Sequence, residues 1–280
     1  MRDRQAGAGR TLPARITSLQ NDRIKAIRAL EMRKARRETG LFLAEGASLI
    51  ITARERGWTP RTLIVGPDGG GGGAAGDLVD WALRSGADCL EVSAAVLAKI
   101  AAKENPQSLM AVFEQRWSPP PSPAAVRADA LWIVLEQIRD PGNLGTIIRT
   151  AEAAGAAGVI LVGQTCDPYA REAVRASMGS IFAVPVARLA GADAFVALAA
   201  AWPGDVVGAH LKGAVDYRDA NYTPPSLLVM GSEGAGLTQA AAAACRRLVR
   251  IPMAGRLDSL NLAVATALIA YEIRRPLLKL

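Results

Sequence analysis

The residues best placed to do chemistry lie in three loops, and the first of these, residues 140–151, contains Asn143 and Arg149. The loop follows a predicted strand and opens a predicted helix, so its peptide N–H groups lie at the positive end of a helix dipole. Arg149 lies about two turns into this helix, among Ile, Thr and Ala. We predict it on the buried-facing edge, where a guanidinium requires an anion or acceptor. The alternative is a surface arginine that extends past its neighbours into water.

The second loop, residues 230–237, places Glu233 among the glycines Gly231, Gly234 and Gly236. A glycine-rich turn after a strand is similar to a dinucleotide fingerprint, but the order of the glycines differs and a carboxylate lies within it. Because Glu233 would repel a pyrophosphate, the loop favours a cationic or neutral ligand. A nicotinamide-dependent dehydrogenase is the alternative function. Against it, this chain lacks the acidic residue that would hold the ribose at the end of a following strand.

The third loop, residues 251–265, carries Ser259 and Asn261 just before a long apolar run that ends near Tyr271. Small polar side chains in this position typically cap a helix, and capping is the ordinary interpretation of both residues. A role in ligand binding is the alternative, because the loop follows a predicted strand as the other two loops do.

The elements that must position these loops form an α/β unit after residue 130. We predict six continuous apolar strands, of a kind that is buried on both faces of a parallel sheet covered by helices: Leu131 to Glu136, Val159 to Val162, Phe182 to Val186, Val206 to Ala209, Leu227 to Met230 and Leu248 to Ile251. The predicted fold is a doubly wound α/β domain. Ligands bind beyond the carboxyl ends of such strands, where all three loops begin.

The preceding residues predict a smaller α/β domain over 16–117. Its predicted elements are a helix from Asn21, a strand at 41–46, a helix at 47–56, a strand at 62–65, a helix at 77–85, a strand at 89–92, a helix at 94–101 and a strand at 108–114. The glycines at 69–73 predict a flexible loop. A basic tail over 1–15 is predicted to be disordered, and the proline-rich residues 118–129 are predicted to be a linker.

The basic charge of the chain is concentrated at one end. Residues 1–61 contain 14 Lys and Arg against 6 Asp and Glu, whereas the rest of the chain contains 19 against 20. Such a segment can neutralise phosphates, which predicts RNA binding, although a solvated helix face is the alternative. The candidate RNA-binding residues are Arg23, Lys25, Arg28, Arg33, Lys34, Arg36 and Arg37.

Composition excludes several other classes of protein. No apolar stretch approaches the roughly 20 residues that cross a bilayer, and the arginine-rich N-terminus differs from a secretory signal, so we expect a cytoplasmic protein without membrane association. Cys89, Cys166 and Cys245 form no CxxC pair, and His210 is the single histidine. We therefore expect neither a disulfide framework nor a metal site.

Taken together, the three loops resemble the SpoU, or TrmH-like, family of RNA ribose methyltransferases. The resemblance spans about Leu131 to Leu280, and the intervening segment 175–180 also resembles that family. Upstream, residues 16–40 and the segment 41–46 are similar to the L30e-like substrate-binding domain that many members carry.

The resemblance implies a deep trefoil knot in the C-terminal domain, a homodimer formed through that domain, and S-adenosylmethionine as cofactor. It implies that the second and third loops surround the cofactor through Gly231, Glu233, Gly234, Gly236, Ile251, Met253 and Leu260. It also implies that Arg149 contacts the reacting ribose hydroxyl, with Asn143, Glu233, Ser259 and Asn261 as the other polar site residues. Because an arginine side chain stays protonated at neutral pH, we favour stabilisation of a developing alkoxide over proton abstraction.

The substrate implied by the resemblance is a structured RNA, and the presence of the additional L30e-like domain favours 23S rRNA. Transfer RNA is an alternative substrate. A catalytically silent RNA-binding scaffold of the same fold is a second alternative, which the complete set of polar motif residues disfavours.

Overall fold

A computed structural model describes residues 15–67, 69, 72–103, 105–211 and 215–279, and the chain divides into two compact units between Glu114 and Gln115. Apart from Arg15, the basic tail predicted to be disordered lies outside the described residues. So do Gly70 and Gly71 of the predicted glycine loop.

The N-terminal unit contains five helices and four strands among its described residues. They are α1 (Asp22–Ala29), α2 (Arg33–Thr39), β1 (Leu41–Glu45), α3 (Ala47–Glu55), β2 (Thr62–Val65), α4 (Gly73–Arg84), β3 (Asp88–Glu91), α5 (Ala94–Ala101) and β4 (Leu109–Glu114). These bounds agree with the predicted ones to within a few residues, with two exceptions. Helix α4 begins four residues before the predicted start at Asp77, and α2 is a separate helix that the sequence pattern did not predict.

A mixed sheet forms the centre of the N-terminal unit. Its strand order is β1-β4-β2-β3, and only β2 and β3 run parallel. On one face, Ile24 and Ile27 of α1 join residues of α5 in a buried apolar cluster. On the other face, Phe42, Trp58 and Phe113 pack edge to face and tilted against one another, with ring centroids 5.9 to 6.4 Å apart. Burial on both faces explains why these strands are almost continuously apolar.

The C-terminal unit contains five α-helices, one 3-10 helix and seven strands among its described residues. They are β5 (Leu131–Glu136), α6 (Pro141–Ala153), β6 (Gly158–Val162), α7 (Arg171–Ala176), the 3-10 helix Ser180–Phe182, β7 (Val186–Leu189), α8 (Ala192–Ala201), β8 (Val206–Ala209), β9 (Val215–Asp216), β10 (Ser226–Met230), α9 (Gln239–Ala244), β11 (Arg247–Arg250) and α10 (Leu262–Arg274).

The seven strands form one sheet in which every pairing is parallel, in the order β7-β6-β5-β10-β8-β11-β9. Helices α6, α7 and α10 pack together on one face, and α8 and α9 pack together on the other. The predicted doubly wound architecture is thus confirmed. Strand β10 lies between β5 and β8, and β11 lies between β8 and β9, so each is inserted between strands formed earlier in the chain. This order is compatible with the implied knot, which stays a prediction.

The predicted strand Phe182 to Val186 is wrong. Phe182 ends the 3-10 helix Ser180–Phe182, and a turn follows before Pro185. The Phe182 N–H donates to the Gly179 carbonyl, and the Ala183 N–H donates to the Ser180 carbonyl. Strand β7 begins only at Val186. The segment is apolar because it is buried beside α6, and an apolar run of this length does not by itself distinguish a strand from another buried element.

Residues 115–118, at the junction of the predicted N-terminal domain and the predicted linker, belong to the C-terminal unit. The Trp117 ring packs edge to face on the buried Tyr169 with centroids 5.2 Å apart, and the Arg188 guanidinium lies 3.5 Å from the centre of the Trp117 ring. The Ser118 N–H donates to the Val186 carbonyl, so the segment pairs with the sheet edge at β7. These contacts explain why the division falls at Glu114, before the expected end at Trp117.

Candidate functional site

Side chains from all three predicted loops meet beyond the carboxyl ends of β5 and β10. The Asn143 Nδ2 atom donates to Glu233 Oε1 at 3.1 Å, and the Asn261 Nδ2 atom donates to Asn143 Oδ1 at 3.0 Å. The three residues are separated by up to 118 positions in the sequence. We call this chain of hydrogen bonds, Asn261 to Asn143 to Glu233, the amide relay.

Helix α10 fixes the direction of the amide relay. The Asn261 Oδ1 atom caps this helix by accepting from the N–H groups of Ala263 and Val264 at 2.9 and 3.3 Å. With its oxygen used in this way, the side chain can offer only its NH₂ group to Asn143. Asn143 must then accept through Oδ1 and donate to Glu233, which leaves the carboxylate as the final acceptor. Asn261 therefore caps α10 and contacts Asn143 at the same time.

A tight turn presents Glu233 to the relay. The Ser232 N–H donates to the Gly236 carbonyl at 3.1 Å, and the Gly236 N–H donates back to the Ser232 carbonyl at 2.9 Å. Gly236 has a φ of +68°, which favours glycine. A Cβ atom on Gly231 would lie only 2.0 Å from the Gly236 carbonyl carbon, so any side chain there would open the turn.

The predicted cofactor-binding residues border the same edge of the sheet. Gly231 is buried at the end of β10, whereas Glu233, Gly234 and Gly236 are exposed in the turn. Ile251 and Met253 are half-buried directly after β11. Leu260, with 37% of its surface exposed, precedes the Asn261 cap. The backbone N–H and C=O groups of Ile251 and Met253 form no hydrogen bond with another described residue, so they remain available to a ligand.

Two of the predicted catalytic residues lie outside the amide relay. The Ser259 hydroxyl donates to its neighbour Asp258 at 3.1 Å. Arg149 lies on α6 as predicted, but its predicted place on the buried-facing edge is wrong: the side chain is exposed, and its guanidinium contacts no acceptor among the described residues. Helix α6 turns Leu144, Ile147 and Ile148 inward instead. The charge of Arg149 is therefore open to a ligand from solvent.

Sequence reasoning missed two residues that support the site. Glu136, the last residue of β5, is buried and binds Thr238, the residue that caps α9. The Arg139 N–H points to Glu233 Oε2 at 3.5 Å, opposite the side held by Asn143. The signal available for Glu136 was a carboxylate at the end of a wholly apolar strand, since such a group is rarely buried without a partner.

Six of the seven predicted RNA-binding side chains are exposed on α1 and α2 of the N-terminal unit. Arg23 pairs with Asp88 at 3.2 Å, Lys25 with Asp22 at 3.1 Å and Lys34 with Glu38 at 3.9 Å. No ion pair is formed by the three other exposed cations with any described residue; these are Arg28, Arg33 and Arg37.

Arg36 is the exception, and its prediction as an RNA-binding residue is wrong. The side chain is buried, and its Nη1 atom donates to the carbonyl oxygens of Leu30 and Glu31, each at 2.8 Å. The guanidinium therefore joins the end of α1 to α2, where it satisfies carbonyls that the helix leaves without partners.

The described residues contain no group of three or more His, Cys, Asp or Glu side chains arranged to hold a metal ion. None of their helices combines the length and apolar character needed to span a membrane.

Comparison with known families assigns both units. Residues 130–271 match the SpoU rRNA Methylase family, and residues 21–111 match the MRM3-like substrate binding domain. The first match includes the whole amide relay, and the second includes the basic helices α1 and α2.

Similar proteins cover almost the whole chain. A 23S rRNA (uridine(2479)-2'-O)-methyltransferase of Streptomyces viridochromogenes is 35% identical, over 95% of this chain and 94% of its own. The 23S rRNA (guanosine(2553)-2'-O)-methyltransferase RlmP of Bacillus subtilis is 30% identical, over 92% and 98%. A crystal structure of an AdoMet-bound rRNA methyltransferase from Sinorhizobium meliloti is 44% identical, with a TM-score of 0.85 over 95% of this chain and 98% of that one.

Proposed function

We propose that this chain, which belongs to the SpoU rRNA methylase family, transfers a methyl group from S-adenosylmethionine to a ribose 2′-hydroxyl of ribosomal RNA. The observation that carries the proposal is the amide relay. It joins residues of the three loops that resemble the family's motifs, at the sheet edge where parallel α/β folds bind ligands.

The residues at this edge fit S-adenosylmethionine. The cofactor carries positive charge on its sulfonium and amino groups, and Glu233 supplies a carboxylate next to the turn. The turn is closed by glycines, which allow close backbone approach, and the free peptide groups of Ile251 and Met253 suit the edge of an adenine ring. When bound, the cofactor supplies an electrophilic methyl group, so the protein has mainly to align the attacking oxygen and stabilise its charge.

Arg149 takes the second of these tasks in our proposal. Its exposed guanidinium would stabilise negative charge on the ribose oxygen as the proton leaves, because preorganised charges act most strongly where charge develops. Asn143, Glu233 and Asn261 would hold the three loops in the geometry of the relay. Ser259 would donate to the substrate or the cofactor from the third loop.

The N-terminal unit would select the RNA. Structured RNA is bound through phosphates and shape, and the exposed cations of α1 and α2 form a surface suited to phosphates. The cations without carboxylate partners should contribute most, because each of the others must give up an ion pair to contact the RNA.

Replacing Arg28, Arg33 and Arg37 together with alanine is expected to weaken RNA binding at least about 10-fold at moderate salt. It should also reduce the slope of log affinity against log salt by about 2, because about three phosphate contacts are lost. Filter binding across a salt series measures both quantities. Replacing Arg23, Lys25 and Lys34 removes the same charge from ion-paired positions and should have a smaller effect. Equal effects would contradict a specific role for the unpaired set.

A homodimer formed through the C-terminal unit is part of the proposal. Helix α10 exposes an apolar stripe at helical spacing, with 49% of Val264, 39% of Leu268 and 45% of Tyr271 exposed. Apolar stripes of this kind are typical of surfaces that bind another protein. A second copy of the same face would cover the stripe in an isologous pair.

The names of the relatives favour 23S rRNA as the substrate and the cytoplasm, where ribosomes assemble, as the compartment. Transfer RNA remains the alternative substrate because related TrmH proteins bear names that include it.

The deciding experiment is transfer of a labelled methyl group from S-adenosylmethionine to ribosomal and transfer RNA pools that lack the modification, followed by mass mapping of the labelled nucleotide. We expect a single 2′-O-methyl mark in the large-subunit rRNA. A mark confined to transfer RNA would overturn the substrate. Tight cofactor binding with no label in either pool would favour the silent scaffold.

A further inference from the structure

Glu136 is a buried carboxylate whose two oxygens are both held by one residue, Thr238. Only 3% of its surface is exposed. Its Oε2 atom accepts from the Thr238 backbone N–H at 2.9 Å, and its Oε1 atom accepts from the Thr238 hydroxyl at 2.7 Å. These bonds span 102 positions of sequence. A charged group this deep is retained only where its hydrogen bonds compensate for lost hydration.

Thr238 lies at the closing end of the second loop. It follows Gly236 and Leu237, whose backbone atoms pack directly against Gly231, where an added Cβ would come within 2.2 Å of the Leu237 nitrogen. The Thr238 hydroxyl also caps α9 by accepting from the Ala241 N–H at 3.2 Å. A displacement of Thr238 would therefore be transmitted to both ends of the tight turn.

The tip of the same loop is held from the same strand end. Glu233 accepts from Asn143 and from the Arg139 N–H, and both of these residues follow β5. Strand β5 thus holds the second loop at its tip through the first loop and at its base through Glu136. The tip contacts are exposed to water, whereas the base contact joins a buried carboxylate to a half-buried threonine. The base contact should therefore do more to set the position of the turn.

The neighbouring Cys245 thiol adds no negative charge beside Glu136. Burial, and next the negative charge of Glu136, raise the pKa of the Cys245 thiol to about 12. Cys245 is therefore neutral at physiological pH, and its Sγ atom donates to the Ala241 carbonyl at 3.2 Å. Glu136 consequently acts on Thr238 without an opposing thiolate charge beside it.

We propose that Glu136 is a positioning residue for S-adenosylmethionine binding, because it holds the closing end of the loop from Gly231 to Gly236 against β5. This inference rests on the proposed function, in which that loop surrounds the cofactor. It assigns a role in cofactor affinity to a residue outside the three loop motifs.

The test is Glu136→Gln. The amide oxygen can still accept from the Thr238 N–H, but the carboxylate charge is lost. The NH₂ group faces the Thr238 hydroxyl, which must turn from donor to acceptor, so the charge-assisted hydrogen bond from that hydroxyl is replaced by a weaker neutral one. We expect the Kd for S-adenosylmethionine, measured by calorimetry, to rise about 10-fold, while the KM for RNA stays within about 2-fold. Hydrogen exchange of the Thr238 amide should become faster.

Thr238 variants keep the test decisive if Glu136→Gln folds poorly. Thr238→Val removes the hydroxyl that donates to Glu136 and accepts from the Ala241 N–H, and should raise the cofactor Kd by at least a similar factor. Thr238→Ser retains the hydroxyl and should bind nearly as well as the native protein. The double variant Glu136→Gln with Thr238→Val should bind no more weakly than the worse single variant, because both remove the same contact.

Asp205 provides a matched control. It is another buried carboxylate of the same sheet, but it precedes β8 at the opposite, amino end of the strands. It accepts from the Thr223 N–H at 2.8 Å and pairs with Arg247 at 3.4 Å. Asp205→Asn should lower the melting temperature and leave the cofactor Kd unchanged.

The outcomes separate the inference from the proposed function. If the native protein binds the cofactor and methylates RNA while Glu136→Gln and Thr238→Val bind it equally well, the inference is wrong and the function stands. If Asp205→Asn weakens cofactor binding as much as Glu136→Gln does, the effect is general destabilisation and the inference is again wrong. If the native protein itself neither binds S-adenosylmethionine nor labels RNA, the proposed function fails and the inference fails with it.

Discussion

Arg149→Ala is expected to lower the rate of methyl transfer at least about 100-fold and to leave the Kd for S-adenosylmethionine within a few-fold of its native value. The guanidinium is exposed on α6 and contacts no acceptor among the described residues, so its removal leaves no buried partner unsatisfied. The loss should therefore appear in the chemical step and not in the folding of the site. Single-turnover transfer at saturating cofactor, combined with equilibrium cofactor binding, measures the two quantities separately.

Two comparisons sharpen this result. Arg149→Lys keeps the charge but loses the planar set of donors, and should recover part of the lost rate. Arg139→Ala removes an exposed arginine from the start of the same loop, while its backbone N–H toward Glu233 remains. It should leave the transfer rate nearly unchanged. A parallel loss of cofactor binding in Arg149→Ala would show that Arg149 holds the cofactor and not the ribose oxygen.

The sequence predicted the site well where local pattern and geometry agree. Strand β5 has the predicted bounds, Leu131–Glu136, and the Asn261 cap follows from a small polar residue before an apolar helix. Because parallel strands present their carboxyl ends on one edge, the loops after β5 and β10 were expected to be close, and the contact from Asn143 to Glu233 is the result.

The sequence failed where a side chain is positioned by distant residues. Nothing near Arg36 in the chain indicates that its guanidinium turns inward to the carbonyls of Leu30 and Glu31, because charge runs normally face water. The partner of Glu136 lies in another loop, and no local pattern identifies it. Arg149 shows the opposite error: its apolar neighbours suggested burial, but the inward face of α6 is filled by residues at other helical positions.

Removing residues 1–114 is expected to leave a folded dimer that binds S-adenosylmethionine within a few-fold of the full chain but methylates its RNA at least about 100-fold less efficiently. The C-terminal unit retains its complete parallel sheet, both helical layers and the amide relay, whereas the exposed cations of α1 and α2 are lost. The loss should lie mainly in the KM for RNA. Cofactor calorimetry, sedimentation and transfer kinetics on one preparation test the three parts.

The position of the cut decides whether this experiment is informative. Removing residues 1–117 instead takes away the Trp117 ring, which packs on Tyr169, and the Arg116 backbone, whose N–H donates to the Tyr169 hydroxyl at 3.0 Å. Tyr169 is 1% exposed, so the shorter fragment exposes apolar surface and leaves a buried hydroxyl without these partners, at a cost of about 2 to 3 kcal/mol. For a unit of this size that lowers the melting temperature by roughly 5 to 10 °C. If the two fragments have the same melting temperature, Trp117 does not stabilise the C-terminal unit. If the fragment that begins at Gln115 fails to bind cofactor, the C-terminal unit does not form the site alone.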